Sequence, residues 1–195
     1  MNTPFLVVMA MKEESQGLFE AKGISVVYTG LGKVNASYHL TKNMTLRKAG
    51  GFPIKAVFNF GTAGSFTLPT HSTVECRAFV QKDMDVSALG VPHGETPFEN
   101  TPLMLEVPRF LSHLPTGICG TGDKFETQAS VVPCDVVDME AYALAKICWF
   151  EKIPFVSVKY ITDGSDDNAH KDWQENLPAA AQSFVKVYED LIKLF

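Results

Sequence analysis

The chain has 195 residues, 46% hydrophobic and 20% charged, with 17 Lys and Arg against 22 Asp and Glu for a net charge of -5. That length and apolar content can bury a core without help, so the chain is read as a single domain over 1–195. The acidic balance, with no basic run longer than Arg47 and Lys48, argues against a nucleic-acid or membrane surface and for a small-molecule partner.

In chain order, FLVVM (5–9) reads as a strand. It is followed closely by Lys12, Glu13 and Glu14, so it is too short for a signal peptide or a membrane span, and a cytoplasmic protein is expected. A helix over 12–20, a strand ISVVY (24–28), the loop TGLGKVNAS and a helix over 33–49 come next. KAVFNF (55–60) is a strand ending in the loop GTAGS, and STVECRAFVQ (72–81) is another. A long segment, QKDMDVSALGVPHGETPF, leads to a predicted helix over 102–112 and a strand TGIC (116–119). The remainder is a helix over 139–151, a strand PFVSVKYI (154–161) ending in TDGSDD, and a helix over 175–194. That last helix carries an apolar stripe at Phe184, Val187, Leu191 and Leu194. Cys76, Cys119, Cys134 and Cys148 have no C-x-x-C spacing and read as buried reduced thiols, not as metal ligands or disulfides.

Strands alternating with helical segments indicate an α/β fold around a mixed sheet. Four strands end in small or acidic segments, and open α/β sheets bind ligands at such carboxyl ends. Each has an ordinary explanation singly, since Gly marks turns and Asp or Ser caps helices. Their joint occurrence indicates one polar pocket. VVDMEAYALAKICW (136–149) is the sharpest case, because Asp138 and Glu140 head the most apolar helical segment.

The succession AMKEE, TGLGKVNAS, NFGTAGS, QKDMDVSALG, TGDKF, VVDMEAYALAKIC and PFVSVKYITDGSDD resembles the nucleoside phosphorylase superfamily over nearly the whole chain. Within it the likeness is to the 5'-methylthioadenosine/S-adenosylhomocysteine nucleosidases. DMEAYALA followed one strand later by ITD is the most specific piece, and the interval from Asp163 to Trp173 also matches. The resemblance implies a three-layer fold with a central mixed twisted sheet flanked by helices. It also implies a purine nucleosidase that hydrolyses the N-glycosidic bond of an adenine nucleoside, acting as a homodimer. No cofactor and no metal are implied.

By the same resemblance, Asp163 protonates the leaving purine; its place at a strand end is expected to raise its carboxyl by burial, with Lys159 or Ser165 nearby to tune it. Glu14 is the general base toward water, with Lys12 standing where the family has a first acid. Glu140 grips the ribose hydroxyls, Met139 packs on sugar and base, and Asp138 is a pocket neighbour where Glu is more usual. Thr62, Ala63 and Gly64 leave room for the sugar. Phe125 stacks on the purine, and Glu126 stands where an apolar residue is usual. The interval from Phe125 to Asp138 is shorter than in the family, which trims the loop beside the base. Met9 and Trp173 line the 5' end of the substrate. Val86, Leu89 and Pro97 form a wall lent by a neighbouring subunit.

Phosphate binding recruits Arg forks or glycine nests with a cation. None of the three arginines, Arg47, Arg77 and Arg109, follows a glycine loop, so water is favoured as nucleophile, with Lys33 the one cation placed to upset this. Phosphorolysis and a non-catalytic nucleoside-binding module are the alternatives.

Overall fold

Alternation along the central strands decides which face each side chain meets. In β1 (Phe5–Met9), Leu6 and Val8 enter one apolar cluster, and Phe5, Val7 and Met9 enter another. β3 (Ala56–Gly64) divides likewise, Val57 to the first cluster and Ala56, Phe58 and Phe60 to the second. Both faces of the sheet are therefore apolar and need cover. A computed structural model describes residues 3–124, 131–163 and 169–195, at 163 and 169–172 the backbone alone.

The other elements are α1 (Lys12–Ser15), α2 (Leu18–Ala21), β2 (Val26–Tyr28), α3 (Lys33–Ala49), β4 (Thr73–Gln81), β5 (Leu105–Glu106), β6 (Thr116–Thr121), β7 (Val136–Asp138), α4 (Ala141–Glu151), β8 (Phe155–Asp163) and α5 (Ala169–Leu191). β1 lies parallel between β2 and β3. β8 runs parallel to β3 and antiparallel to β4. β4 also pairs with β6 in parallel and with the short β5 antiparallel, and β7 runs parallel to β6. β7 then meets β3 again at Gly64 and Val137, so β3, β8, β4, β6 and β7 close a ring. This is an α/β fold with a central mixed sheet. Ala36, Leu40 and Met44 of α3 and most of α4 cover the first cluster. Phe19 of α2, with Ala180, Phe184, Tyr188 and Leu191 of α5, covers the second.

Several expectations change. The helix over 12–20 is broken into α1 and α2, because Gln16 and Gly17 both take left-handed backbone, φ 48° and 71°. The strand at 24–28 is shorter at its start, and VVD of 136–138 forms a strand where none was expected. GTAG is not a loop: pairing with β8 continues from Gly61 opposite Lys159 to Gly64 opposite Asp163.

No helix forms over 102–112, where Pro108 removes an amide donor and disfavours helical backbone at Val107. Instead Leu105 and Glu106 add an edge strand. Buried Glu75 then accepts the N–H groups of Phe110 and Leu111 at 2.7 and 3.1 Å. Arg109 accordingly lies in a loop. In the last helix Phe184, Val187 and Leu191 are buried as the stripe requires, but Leu194 lies beyond it and is exposed. Cys76, Cys119 and Cys148 are buried free thiols, and Cys134 is partly exposed. Among the described residues, no helix is long and apolar enough to cross a membrane.

Candidate active site

Glu14 is the third residue of α1, and its side chain turns back toward the end of β1. Its Oε2 accepts the N–H groups of Ala10 and Met11 at 3.0 and 3.1 Å. Its Oε1 accepts the N–H and hydroxyl of Thr62 at 2.8 and 3.0 Å. Trp173 of α5 donates its indole N–H to the same hydroxyl at 2.9 Å. Four donors fix the carboxylate, and through it the ends of β1, β3 and α5. Glu13 next to it is exposed.

A second acidic group stands across Gly61. Asp138 ends β7 and uses both oxygens: Oδ1 accepts the Thr121 hydroxyl at 2.6 Å, and Oδ2 accepts the Ala141 N–H at 2.9 Å. Lys159 Nζ is 2.8 Å from Oδ2, with both side chains almost wholly shielded. Burial alone would raise the Asp138 carboxyl, but Lys159, Thr121 and the Ala141 amide outweigh it and hold the group below its ordinary value. Burial likewise opposes charge on Lys159, and the Asp138 carboxylate reverses this, holding the amine above its ordinary value. The ammonium expected to tune Asp163 is thus engaged with Asp138.

Glu140 lies at the start of α4, buried, and its Oε1 accepts the Gly32 N–H at 2.8 Å. Gly32 has φ 90°, a left-handed conformation that aims this amide inward at the start of α3. Burial first, and then the Asp138 carboxylate, push the Glu140 carboxyl up to about 8. It rests mostly protonated at neutral pH.

The next amide at the start of α3 is also taken. Lys33 donates its N–H to Asp123 Oδ1 at 2.8 Å, while its Nζ sits 2.5 Å from Asp83 and 3.1 Å from Asp123. The cation that sequence reasoning left available to a phosphate is bound between two carboxylates. The arginines donate to backbone carbonyls, Arg47 to Thr3, Arg77 to Val107 and Arg109 to Ser112 and Leu114.

Residues 1–193 match the family model of the phosphorylase superfamily. The chain belongs to the phosphorylase superfamily. It is 28% identical over 197 residues to the 5'-methylthioadenosine/S-adenosylhomocysteine nucleosidase of Buchnera aphidicola subsp. Schizaphis graminum, covering 91% of this chain and 82% of that one. The corresponding Marinomonas enzyme is 29% identical over 200 residues, covering 91% and 84%. Among solved structures, a Helicobacter pylori MTAN mutant with 5'-methylthioadenosine in the active site superposes with TM-score 0.84 at 21% identity, over 100% of both chains. The futalosine hydrolase of the same organism has TM-score 0.84 at 22% identity, over 98% of this chain and 97% of that one. These structures share the superfamily fold.

In this superfamily member Thr62, Ala63 and Gly64 form the end of β3 beside Glu14, and Met139 lies partly exposed between Asp138 and Glu140. The Asp163 backbone closes β8 opposite Gly64. Met9 is wholly buried in the second apolar cluster, among Phe19 and Phe60. Val86 and Pro97 are half-buried and Leu89 is exposed. Phe125, Glu126 and the Asp163 side chain lie outside the described part. Sequence reasoning missed Thr121 and Gly32 as partners of the two acids. Lys159 had one legible signal, a charge inside the otherwise uncharged run PFVSVKYI.

Protonated Glu140 makes folding pH-dependent. Its carboxyl rises from the ordinary 4.5 to about 8 on folding, so the folded chain holds a proton that the unfolded chain releases above 4.5, and stability falls as pH rises through that window. Thermal melting of the wild type relative to Glu140→Gln should therefore lose ground steadily from about pH 5 to pH 8. A constant difference would contradict this protonation state.

Proposed function

We propose that this chain hydrolyses the N-glycosidic bond of an adenine nucleoside such as 5'-methylthioadenosine or S-adenosylhomocysteine, releasing the free base. The observation that carries the reading is the convergence of Glu14 with Asp138 and Glu140, three buried acids from two separate segments, around the carboxyl ends of β1, β3 and β7. The curated relatives with this activity support it.

Cleavage needs a proton for the leaving purine, a grip on a ribose that becomes cationic, and an activated water. Asp163, at the end of β8, is assigned the proton donor to purine N7. Glu14 is the base toward water. Of the four donors on Glu14 only the Thr62 hydroxyl can rotate away, so an incoming water takes that donor's place on Oε1. Glu140 holds the ribose hydroxyls, and accepting two hydroxyl donors favours its carboxylate form, so substrate binding lowers its pKa from the resting value. Met139, Phe125 and Glu126 are assigned to the base and sugar, Thr62, Ala63 and Gly64 to the sugar, and Met9 and Trp173 to the 5' end. Water is the nucleophile because the α3 amides already face Glu140 and Asp123, and Lys33 is paired with two acids. A dianion there would meet the carboxylates of Glu140, Asp83 and Asp123.

The same reading takes the chain as one catalytic domain acting as a cytoplasmic homodimer, with Val86, Leu89 and Pro97 against the neighbour's substrate. Leu89 and Phe98 project from the 82–104 segment, 70% and 101% exposed. A groove of about 780 Å³ between α3 and α4 is lined by apolar Val34, Tyr38, Ile147 and Phe150. Apolar surface of this extent suits a second copy. Sedimentation at monomer mass under assay conditions would exclude this arrangement.

Purified protein given methylthioadenosine, adenosine, inosine or AMP, with and without phosphate, should release adenine from methylthioadenosine in both conditions. Asp163→Asn should slow that release by about a hundredfold or more while substrate binding persists. Release only with phosphate would make the chain a phosphorylase, and no release from any nucleoside would make it a binding module.

A further inference from the structure

Among the described residues four donors reach Glu14, and three of them are backbone amides that cannot turn away: those of Ala10, Met11 and Thr62. The fourth is the Thr62 hydroxyl, 3.0 Å from Oε1, a rotor whose proton is free to point elsewhere. Trp173 sets its direction. The indole Nε1 lies 2.9 Å from the same Thr62 oxygen, and an indole N–H can only donate, so it takes a lone pair and leaves the hydroxyl proton to Glu14. A hydroxyl that accepts one bond donates more strongly in the next, so the three groups form one directed line from Trp173 through Thr62 to Glu14.

α5 is fastened so as to hold the indole there. Three residues on from Trp173, Asn176 donates its side-chain amide to the Thr162 carbonyl near the end of β8 at 2.9 Å, and Leu177 beside it is buried. Residues three and four apart share a helix face, so one face of α5 docks on the ends of β3 and β8. A half-buried indole can satisfy its N–H with water. Here it is aimed at the mobile donor of Glu14 instead.

We propose that Trp173 is a positioning residue of the cleavage reaction: through the Thr62 hydroxyl, its indole N–H fixes how Glu14 meets the attacking water. The inference rests on the nucleosidase reading above. When water takes the hydroxyl's place on Oε1, the indole still holds Thr62 Oγ1 beside it, and the freed hydroxyl proton is offered to the water's oxygen. That water donates to Glu14 and accepts from Thr62, which aims its remaining lone pair at the sugar carbon. The residue assigned to the 5' end thereby acts on the base as well.

The test is a double-mutant cycle on adenine release from methylthioadenosine. Trp173→Phe keeps an aromatic ring at the 5' end and removes the N–H, and it should lower kcat about tenfold with KM moving less than about threefold. Thr62→Val should also lower kcat about tenfold, and adding Trp173→Phe to it should cost less than about twofold more, because the line is already cut. With Thr62→Ser, which keeps the hydroxyl, Trp173→Phe should again cost about tenfold. If the indole is only a wall for the 5' end, Trp173→Phe changes KM with kcat intact, or its loss multiplies in full with that of Thr62→Val; either result overturns the proposal. A second readout needs no turnover. The chain has two tryptophans, Trp149 and Trp173, so proton NMR shows two indole N–H signals, and Trp173→Phe assigns them. Thr62→Val and Glu14→Gln should each move the Trp173 signal upfield and leave that of Trp149 in place. Should the wild type release no adenine, the nucleosidase reading fails, and this signal still decides whether Trp173 is tied to Glu14: a Trp173 resonance unmoved in both variants overturns it.

Discussion

One ion pair sealed from water, Lys159 to Asp138, holds the acidic end of this fold together. Asp138 also takes the Thr121 hydroxyl and the first amide of α4, while Thr121 Oγ1 accepts the Tyr142 N–H at 2.9 Å. One carboxylate thereby joins β6, β7, β8 and the start of α4. Removing one partner from such a buried pair leaves an uncompensated charge and costs about 3 to 5 kcal/mol, whereas replacing both partners together can be neutral. The pair is thus a poor means of gaining stability. Its value lies in fixing where β6, β7, β8 and the start of α4 meet, and so where Glu140 stands.

The rest of the molecule brings carboxylates to the same end of the sheet and keeps them still. α4 does so by packing: Ala141, Leu144, Ala145 and Cys148 are buried against the first cluster, so Glu140 sits on a turn that cannot shift. α1 does so by brevity, since its left-handed exit at Gln16 and Gly17 confines Glu14 to a single turn, from which it reaches back to the Ala10 and Met11 amides. The start of α3 supplies an inward amide to Glu140 and another to Asp123. Helix N-termini attract anions, and here the protein's own acids fill that role. A site built this way suits growing positive charge on a sugar and water as the attacking group.

Much of this was legible in the sequence, because periodicity reports burial directly. β1, β3, β4, β6 and β8 were found from apolar runs, and α3, α4 and α5 from helical spacing, because each buries a regular face. The short elements were not. VVD at 136–138 is too short for its alternation to show beside the apolar helix that follows, and the segment at 102–112 carries a helix expectation that Pro108 and the Glu75 contacts override. The acids Glu14, Asp138 and Glu140 stood out as charges beside apolar runs. Gly32 and Thr121 did not, because they come from segments distant in the chain, and Lys159 stood out as a charge in an apolar run while its pairing with Asp138 did not, because only the closed sheet brings the two together. Phe125 and Glu126 are assigned from sequence alone.

The central claim is that water, not phosphate, attacks the sugar carbon released from adenine. Running the reaction on methylthioadenosine in heavy-oxygen water containing phosphate, and weighing the pentose product, tests it directly. The account predicts free methylthioribose carrying one heavy oxygen at its first carbon. A phosphorylated pentose, or an unlabelled one recovered before exchange, would contradict it.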